Sequence, residues 1–208
     1  MGDPRTTVFV VDDDKAVRNS LRWLIESVGL AVETFGSARE FLSAYDPECP
    51  GCLVADVRMP GMSGVELQAV LVERSVQIPV IFISGHGDGP MAVRAMKAGA
   101  EDFIEKPYSD QLLLDRIQQV IRVDAERRRE ARRRNEAHER YGLLTARERQ
   151  VMDLVVDGRA NKQIASQLNL SQKTIEVHRS QVMKKLQVQN VPDLVRIAGL
   201  VAGPLGKP

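Results

Sequence analysis

The chain has 208 residues, 43% of them apolar and 27% charged, with a formal net charge of +1. That length fits one large domain or two small ones, and the apolar share is too high for a disordered chain. No apolar run reaches the roughly 18 residues of a membrane-spanning helix, and acids interrupt the opening stretch MGDPRTTVFVVDDD too early for a signal peptide, so a cytoplasmic protein without a membrane partner is expected.

The small net charge hides an asymmetry. Residues 1–121 hold 11 Lys/Arg against 18 Asp/Glu, residues 122–142 hold 8 against 5, and residues 143–208 hold 10 against 5. An acidic half suits a cation and a basic half suits nucleic acid. We therefore divide the chain into a domain over 1–121, a charged linker over 122–142 and a second domain over 143–208.

The first 121 residues alternate two signals. Apolar runs at Val8 to Val11, Ala31 to Phe35, Cys52 to Ala55, Val80 to Ile83 and Asp102 to Ile104 predict strands. Between them, Ala16 to Val28 puts Val17, Leu21, Leu24, Ile25 and Val28 on one helical face. Ser37, with Glu40 three residues on, caps a second helix to Tyr45. Val65 to Val72, Pro90 to Ala98 and Ser109 to Val123 predict the remaining helices, with Pro90 in a first turn and Gly99 as a stop. Five strands alternating with five helices imply a parallel sheet covered on both faces.

Ligands of such sheets bind beyond the carboxyl ends of the strands. Asp12, Asp13 and Asp14 follow the first strand, Asp56 the third, Ser84 and Gly85 the fourth, and Lys106 and Pro107 the fifth. Clustered carboxylates need a counter-charge. Mg2+ supplies it with one or two carboxylates, water and a phosphate oxygen. A carboxylate beside such an ion can attack phosphorus, with the ion, Lys106 and Ser84 neutralising the phosphoryl oxygens. The run Arg58 to Gly64, RMPGMSG, reads as a rigid turn beside the ion. His86 has no nucleophile to activate and reads as a loop residue. Cys49 and Cys52 form a Cys-Pro-Gly-Cys pair, but Cys52 opens a strand rather than a helix, so a loop thiol and a small core residue are expected.

VFVVDDD, CLVADVRMPGMSG, VIFISGHGD and AMKAGAEDFIEKPY together resemble the receiver domain of response regulators of the NarL/FixJ type, over residues 7–121. The resemblance implies a flavodoxin-like fold with strand order 2-1-3-4-5 and phosphotransfer from a sensor histidine kinase to Asp56. It implies Mg2+ held by Asp13, Asp56 and the Arg58 carbonyl, with Asp12 acting through water. It further implies a cis Lys106–Pro107 bond, a Lys106 contact to the phosphoryl group, a Ser84 hydroxyl that swings onto it, and an inward rotation of Phe103. Ser84 stands where Thr is commoner, and Tyr108 where Phe is common. The helix face of Met91 to Ala98 and strand five would form a dimer on phosphorylation.

Arg122 to Tyr141 alternates Arg and Glu at helical spacing and reads as a solvated extension of the fifth helix, ending at Tyr141-Gly142. Beyond it the strand signal stops. Thr145, with Glu148 three residues on, caps a helix that ends at Gly158. Asn161 caps a short helix ended by Asn169. Ser171 caps a longer one to Leu186, and Val191 to Leu200 forms a fourth with Pro192 in its first turn. A short helix, a tight turn and a longer helix are the plan of a helix-turn-helix. In the longer helix Ile175, Val182, Met183 and Leu186 share a core face. Thr174, Val177, Gln181 and Lys184 lie opposite, with Lys173, Glu176 and Ser180 beside them. Val177 suits a thymine methyl and Glu176 a cytosine amino group. Lys173, Lys184 and Lys185 suit phosphates. The tail Ala202 to Pro208 reads as unstructured.

The run LTARERQVMDLVVDGRANKQIASQLNLSQKTIEVHRSQVMKKL, within residues 143–186, resembles the LuxR-type helix-turn-helix. That implies a four-helix domain, dimerisation partly through its last helix, an inverted-repeat promoter site on double-stranded DNA, and base-facing Glu176, Val177 and Ser180. RNA polymerase is a further candidate partner. The whole reads as a phosphorylation-dependent transcription factor and not a conventional enzyme. A Mg2+-dependent aspartyl-phosphate phosphatase and a constitutive DNA-binding protein with a vestigial receiver are the alternatives. The first wants its nucleophile after the first strand as Asp-x-Asp, and the second has no use for an intact acidic rim.

Overall fold

The computed structural model describes residues 6–85 and 89–202. The expectations for His86 and for the tail beyond Ala202 lie outside the described residues. The chain forms two compact units, Met1–Arg127 and Arg128–Pro208, so the division falls inside the charged segment.

The first unit alternates β1 (Thr7–Val11), α1 (Lys15–Ser27), β2 (Ala31–Phe35), α2 (Ala38–Ala44), β3 (Gly51–Asp56), α3 (Gly64–Glu73), β4 (Val80–Ser84), α4 (Gly89–Lys97) and β5 (Asp102–Glu105), and then enters α5 (Asp110–Gly142). The sheet is parallel with order β2-β1-β3-β4-β5. Side chains alternate across the sheet, and each face has its own core. Phe9, Leu53, Ala55 and Phe82 pack on one side with Phe41, Leu67 and Leu71. Val8, Val10, Val54, Ile81 and Ile83 pack on the other with Leu21, Ile25, Leu113 and Ile117. Cys52 joins this second core while Cys49 lies against the first, and the two form no disulfide.

Helix starts follow local capping chemistry. Asp14 caps α1, its Oδ1 accepting from the Ala16 and Val17 amides at 2.7 and 3.4 Å. Ser63 and Glu66 form a reciprocal capping box at α3 that the sequence reading did not single out. Gly64 follows at once. A Cβ there would lie 2.3 Å from the Asp56 carbonyl oxygen and 2.9 Å from Phe82 Cε1. Only glycine lets the start of α3 approach the end of β3 so closely.

The second unit contains the end of α5 and α6 (Ala146–Val156), α7 (Asn161–Leu168), α8 (Gln172–Leu186) and α9 (Val191–Ala202). Ala137, Leu144, Val151, Met152, Ile164, Ile175, Val182, Leu186, Leu194 and Ile197 form its core. Thr145 and Glu148 close a capping box on α6, and Ser171 caps α8. The expectation for Asn161 is corrected: Ala160 is the cap residue and Asn161 the first helical residue. The reciprocal half of the motif comes from Gln163, whose Oε1 accepts from the Ala160 amide at 2.9 Å. That frees the Asn161 side chain for a contact with α8. Among the described residues, no helix is long and apolar enough to cross a membrane.

Candidate functional site

Parallel register brings β1, β3, β4 and β5 to the same rim, where Val11 pairs with Ala55, Asp56 with Ile83, and Ser84 with Glu105. Just beyond lie Asp12, Asp56, Ser84 and Lys106. The Lys106 Nζ sits 3.2 Å from Asp56 Oδ1 and 3.6 Å from Asp12 Oδ2. The second oxygen of each acid is held by backbone. Asp56 Oδ2 accepts from the Arg58 amide at 2.8 Å, and Asp12 Oδ1 from the Asp14 amide at 2.8 Å. The Lys106–Pro107 bond is cis, and the Lys106 amide donates to the Ser84 carbonyl at 2.7 Å. Ser84 is itself buried.

Burial raises the Asp12 pKa above its ordinary value, with the neighbouring charges of Asp56 and Asp13 adding to the rise. Burial opposes charge on Lys106, but Asp56 and Asp12 outweigh it and hold that pKa above its usual value. The rim is therefore a site that wants positive charge. Asp13 is exposed beside it. Among the described residues no three acidic, Cys or His side chains form a ready metal cage. Two carboxylates with an acid alongside do fit Mg2+, which keeps several waters and takes a phosphate oxygen. Asp14, for which no ligand role was expected, is a helix cap. Phe103 is half-buried against the core that contains Met91 and Ala95, while Val93 and Met96 on α4 are exposed.

In the second unit α8 separates as expected. Ile175, Val182 and Leu186 are buried and Met183 is packed beside them. Lys173, Glu176, Val177, Ser180, Gln181 and Lys184 are exposed, with Val177 at 55% the apolar exception. Thr174 is half-buried and shares a 2.8 Å hydrogen bond with the capping Ser171 hydroxyl. Lys185 does not join the exposed face. Its Nζ lies 2.7 Å from Glu148 Oε2, which also accepts from the Thr145 amide at 2.7 Å. The sequence reading missed this pair because its partners are 37 positions apart.

Residues 8–118 match the response regulator receiver domain, and residues 142–198 match the bacterial regulatory proteins of the luxR family. The chain is 46% identical to the response regulator protein TodT of Pseudomonas putida, over 95% of this chain and 87% of that one. It is 48% identical to the transcriptional regulatory protein FixJ of Azorhizobium caulinodans, over 94% and 92%. A low-resolution structure of the response regulator StyR matches with a TM-score of 0.87 at 49% identity, covering 94% of this chain and 98% of that one. Full-length FixJ from B. japonicum matches at 0.59 and 39%, covering 95% and 97%. The chain belongs to the two-component response regulators of the NarL/FixJ type, DNA-binding transcriptional regulators that join a receiver domain to a LuxR-type helix-turn-helix domain.

Proposed function

We propose that Asp56 is the phosphoacceptor, that it takes its phosphoryl group from a phosphohistidine of a sensor kinase in the cytoplasm, and that this favours a homodimer bound to promoter DNA. An Asp56 carboxylate oxygen attacks phosphorus, the nitrogen–phosphorus bond of the donor breaks, and the imidazole leaves with the bonding pair. The observation that carries this reading is the Lys106 ammonium between Asp56 and Asp12 at 3.2 and 3.6 Å. It lies where equatorial phosphoryl oxygens would need neutralising.

Asp13, Asp56 and the Arg58 carbonyl would hold Mg2+, with Asp12 acting through water. The ion would offset the negative charge that otherwise opposes approach of a phosphoryl donor. Lys106 would exchange its carboxylate partner for a phosphoryl oxygen, and the Ser84 hydroxyl would bond another. A phosphoryl group brings about −1.5 to −2 charges. That gain would redraw the hydrogen bonds of Ser84 and favour a buried Phe103. The α4 face with β5 would then pair two copies, placing two α8 helices on an inverted repeat. Lys173 and Lys184 would contact phosphates. Thr174, Glu176, Val177, Ser180 and Gln181 would face bases. RNA polymerase would be met at the promoter. The domain limits we propose are 1–121, 122–142 and 143–208.

The test is phosphorylation by a small-molecule phosphodonor with Mg2+, comparing wild type with Asp56→Asn on a phosphate-affinity gel and by sizing. A Mg2+-dependent shift lost in the mutant, with dimerisation of the wild type, is the expected result. A shift that persists in Asp56→Asn would name a different acceptor.

A further inference from the structure

The recognition helix is tied to its scaffold at two polar points. At its last turn, Lys185 reaches the Glu148 carboxylate on α6 at 2.7 Å. Six residues earlier, Arg179 Nη1 donates to Asn161 Oδ1 on α7 at 2.7 Å. The two anchors are about 9 Å apart along the axis, at 1.5 Å per residue. Both land on the first turns of their partner helices, Glu148 inside the capping box of α6 and Asn161 at the first position of α7. Glu148 is buried, and a single oxygen serves both its own helix cap and Lys185. A further bond, from Arg147 Nη2 to the Leu168 carbonyl at 2.8 Å, ties the start of α6 to the end of α7.

Apolar packing of Ile175, Val182 and Leu186 holds α8 down but is not directional. Directional bonds on two different neighbours fix its rotation and tilt. This matters because base readout needs heavy-atom distances of roughly 2.7–3.2 Å. At the roughly 5–6 Å radius of a helix with side chains, about 10° of rotation displaces a side-chain tip by about 1 Å.

Building on the reading of α8 as the DNA-facing helix, we infer that Lys185 and Arg179 are positioning residues that set the pitch of α8, and that Lys185 acts on recognition through Glu148 rather than by binding phosphate. Lys184, one position earlier and exposed, is the phosphate-facing member of the pair.

The experiment uses the full-length phosphorylated chain and two duplexes, one selected from a random pool by the wild type and one scrambled from it. Affinity for each is measured across a salt series. Lys184→Gln should lower the salt slope by about one on both duplexes, as loss of one phosphate contact does. Lys185→Gln should leave the slope unchanged, weaken the selected duplex by about tenfold or more, and move the scrambled one by less than about twofold. Lys185→Arg should restore the selected duplex. Arg179→Met should behave like Lys185→Gln, while Asn161→Asp, which keeps an acceptor for Arg179, should not. Thermal unfolding of each variant fixes an assay temperature at which all of them are folded. A slope lowered in Lys185→Gln as in Lys184→Gln, or an equal loss on both duplexes, overturns the inference. A slope unmoved in Lys184→Gln would instead overturn the reading of α8 as the DNA-facing helix.

Discussion

Lys106 Nζ lies 3.2 Å from Asp56 Oδ1, so the cation suited to a phosphoryl oxygen is already paired with the proposed acceptor. It is in competition with any second cation. At this distance, between the dielectric limits of water and of a protein surface, one charge is worth about 1–5 kcal/mol. Lys106→Met should therefore tighten Mg2+ binding by about tenfold while slowing phosphorylation of Asp56, because the ammonium is lost from the phosphoryl side. Calorimetric Mg2+ titration and phosphodonor kinetics measure the two effects on one variant. Unchanged Mg2+ affinity would place the ion away from Lys106.

Gly64 supports the same acceptor from behind. An added Cβ would meet the Asp56 carbonyl oxygen at 2.3 Å and Phe82 Cε1 at 2.9 Å. Neither is the free end of a flexible chain, so backbone must move. Gly64→Ala should cost about 1–3 kcal/mol of stability, as overpacking does, and should slow phosphorylation by shifting the Asp56–Arg58 turn. Gly61→Ala, where φ is +81° but no atom lies within 4 Å, should destabilise through backbone conformation alone. Urea melts with parallel phosphorylation assays separate the two.

Much of this was legible in the sequence because parallel α/β order converts position into place. Asp12, Asp56, Ser84 and Lys106 each follow an apolar run, and strand ends in such a sheet share one rim. The core face of α8 was likewise written in the spacing of Ile175, Val182 and Leu186. What could not be read were bonds made by long side chains across the fold. Lys185 and Lys184 are identical neighbours, and only packing shows that one meets Glu148 while the other stays exposed. Asn161 is a favoured cap residue type, but Gln163 caps from inside the helix and moves the boundary by one residue. Asp14 looked like part of the acidic cluster, yet its carboxylate is engaged by helix amides.

The buried Glu148 gives the second unit an acid-sensitive point. Burial alone would raise its pKa, but the Lys185 ammonium and the Thr145 amide and hydroxyl outweigh that and hold it below its ordinary value near 4.5. A carboxyl depressed in the folded state contributes stability that is fully present above the unfolded value and is lost as pH falls through the folded one. The thermal stability of the second unit should therefore decline below about pH 4.5 in the wild type. Glu148→Gln should be less stable at neutral pH and flatter across that window. A variant with the wild-type slope would assign the acid sensitivity to other carboxylates.

Val177 offers the sharpest test of the α8 surface, since it is 55% exposed among polar neighbours. An exposed valine gains nothing in the free protein but can pack on a thymine methyl in the major groove. Uracil pairs as thymine does and lacks only that methyl. If Val177 makes this contact, replacing thymines one at a time by uracil in a selected duplex should weaken wild-type binding at one position per half-site. Burial of one methyl-sized group is worth about 0.8 kcal/mol, or about fourfold. Val177→Ser should bind thymine and uracil duplexes alike at that position and keep the wild-type salt slope, because no phosphate contact is touched. Equal wild-type binding to thymine and uracil at every position would assign the exposed valine to another contact.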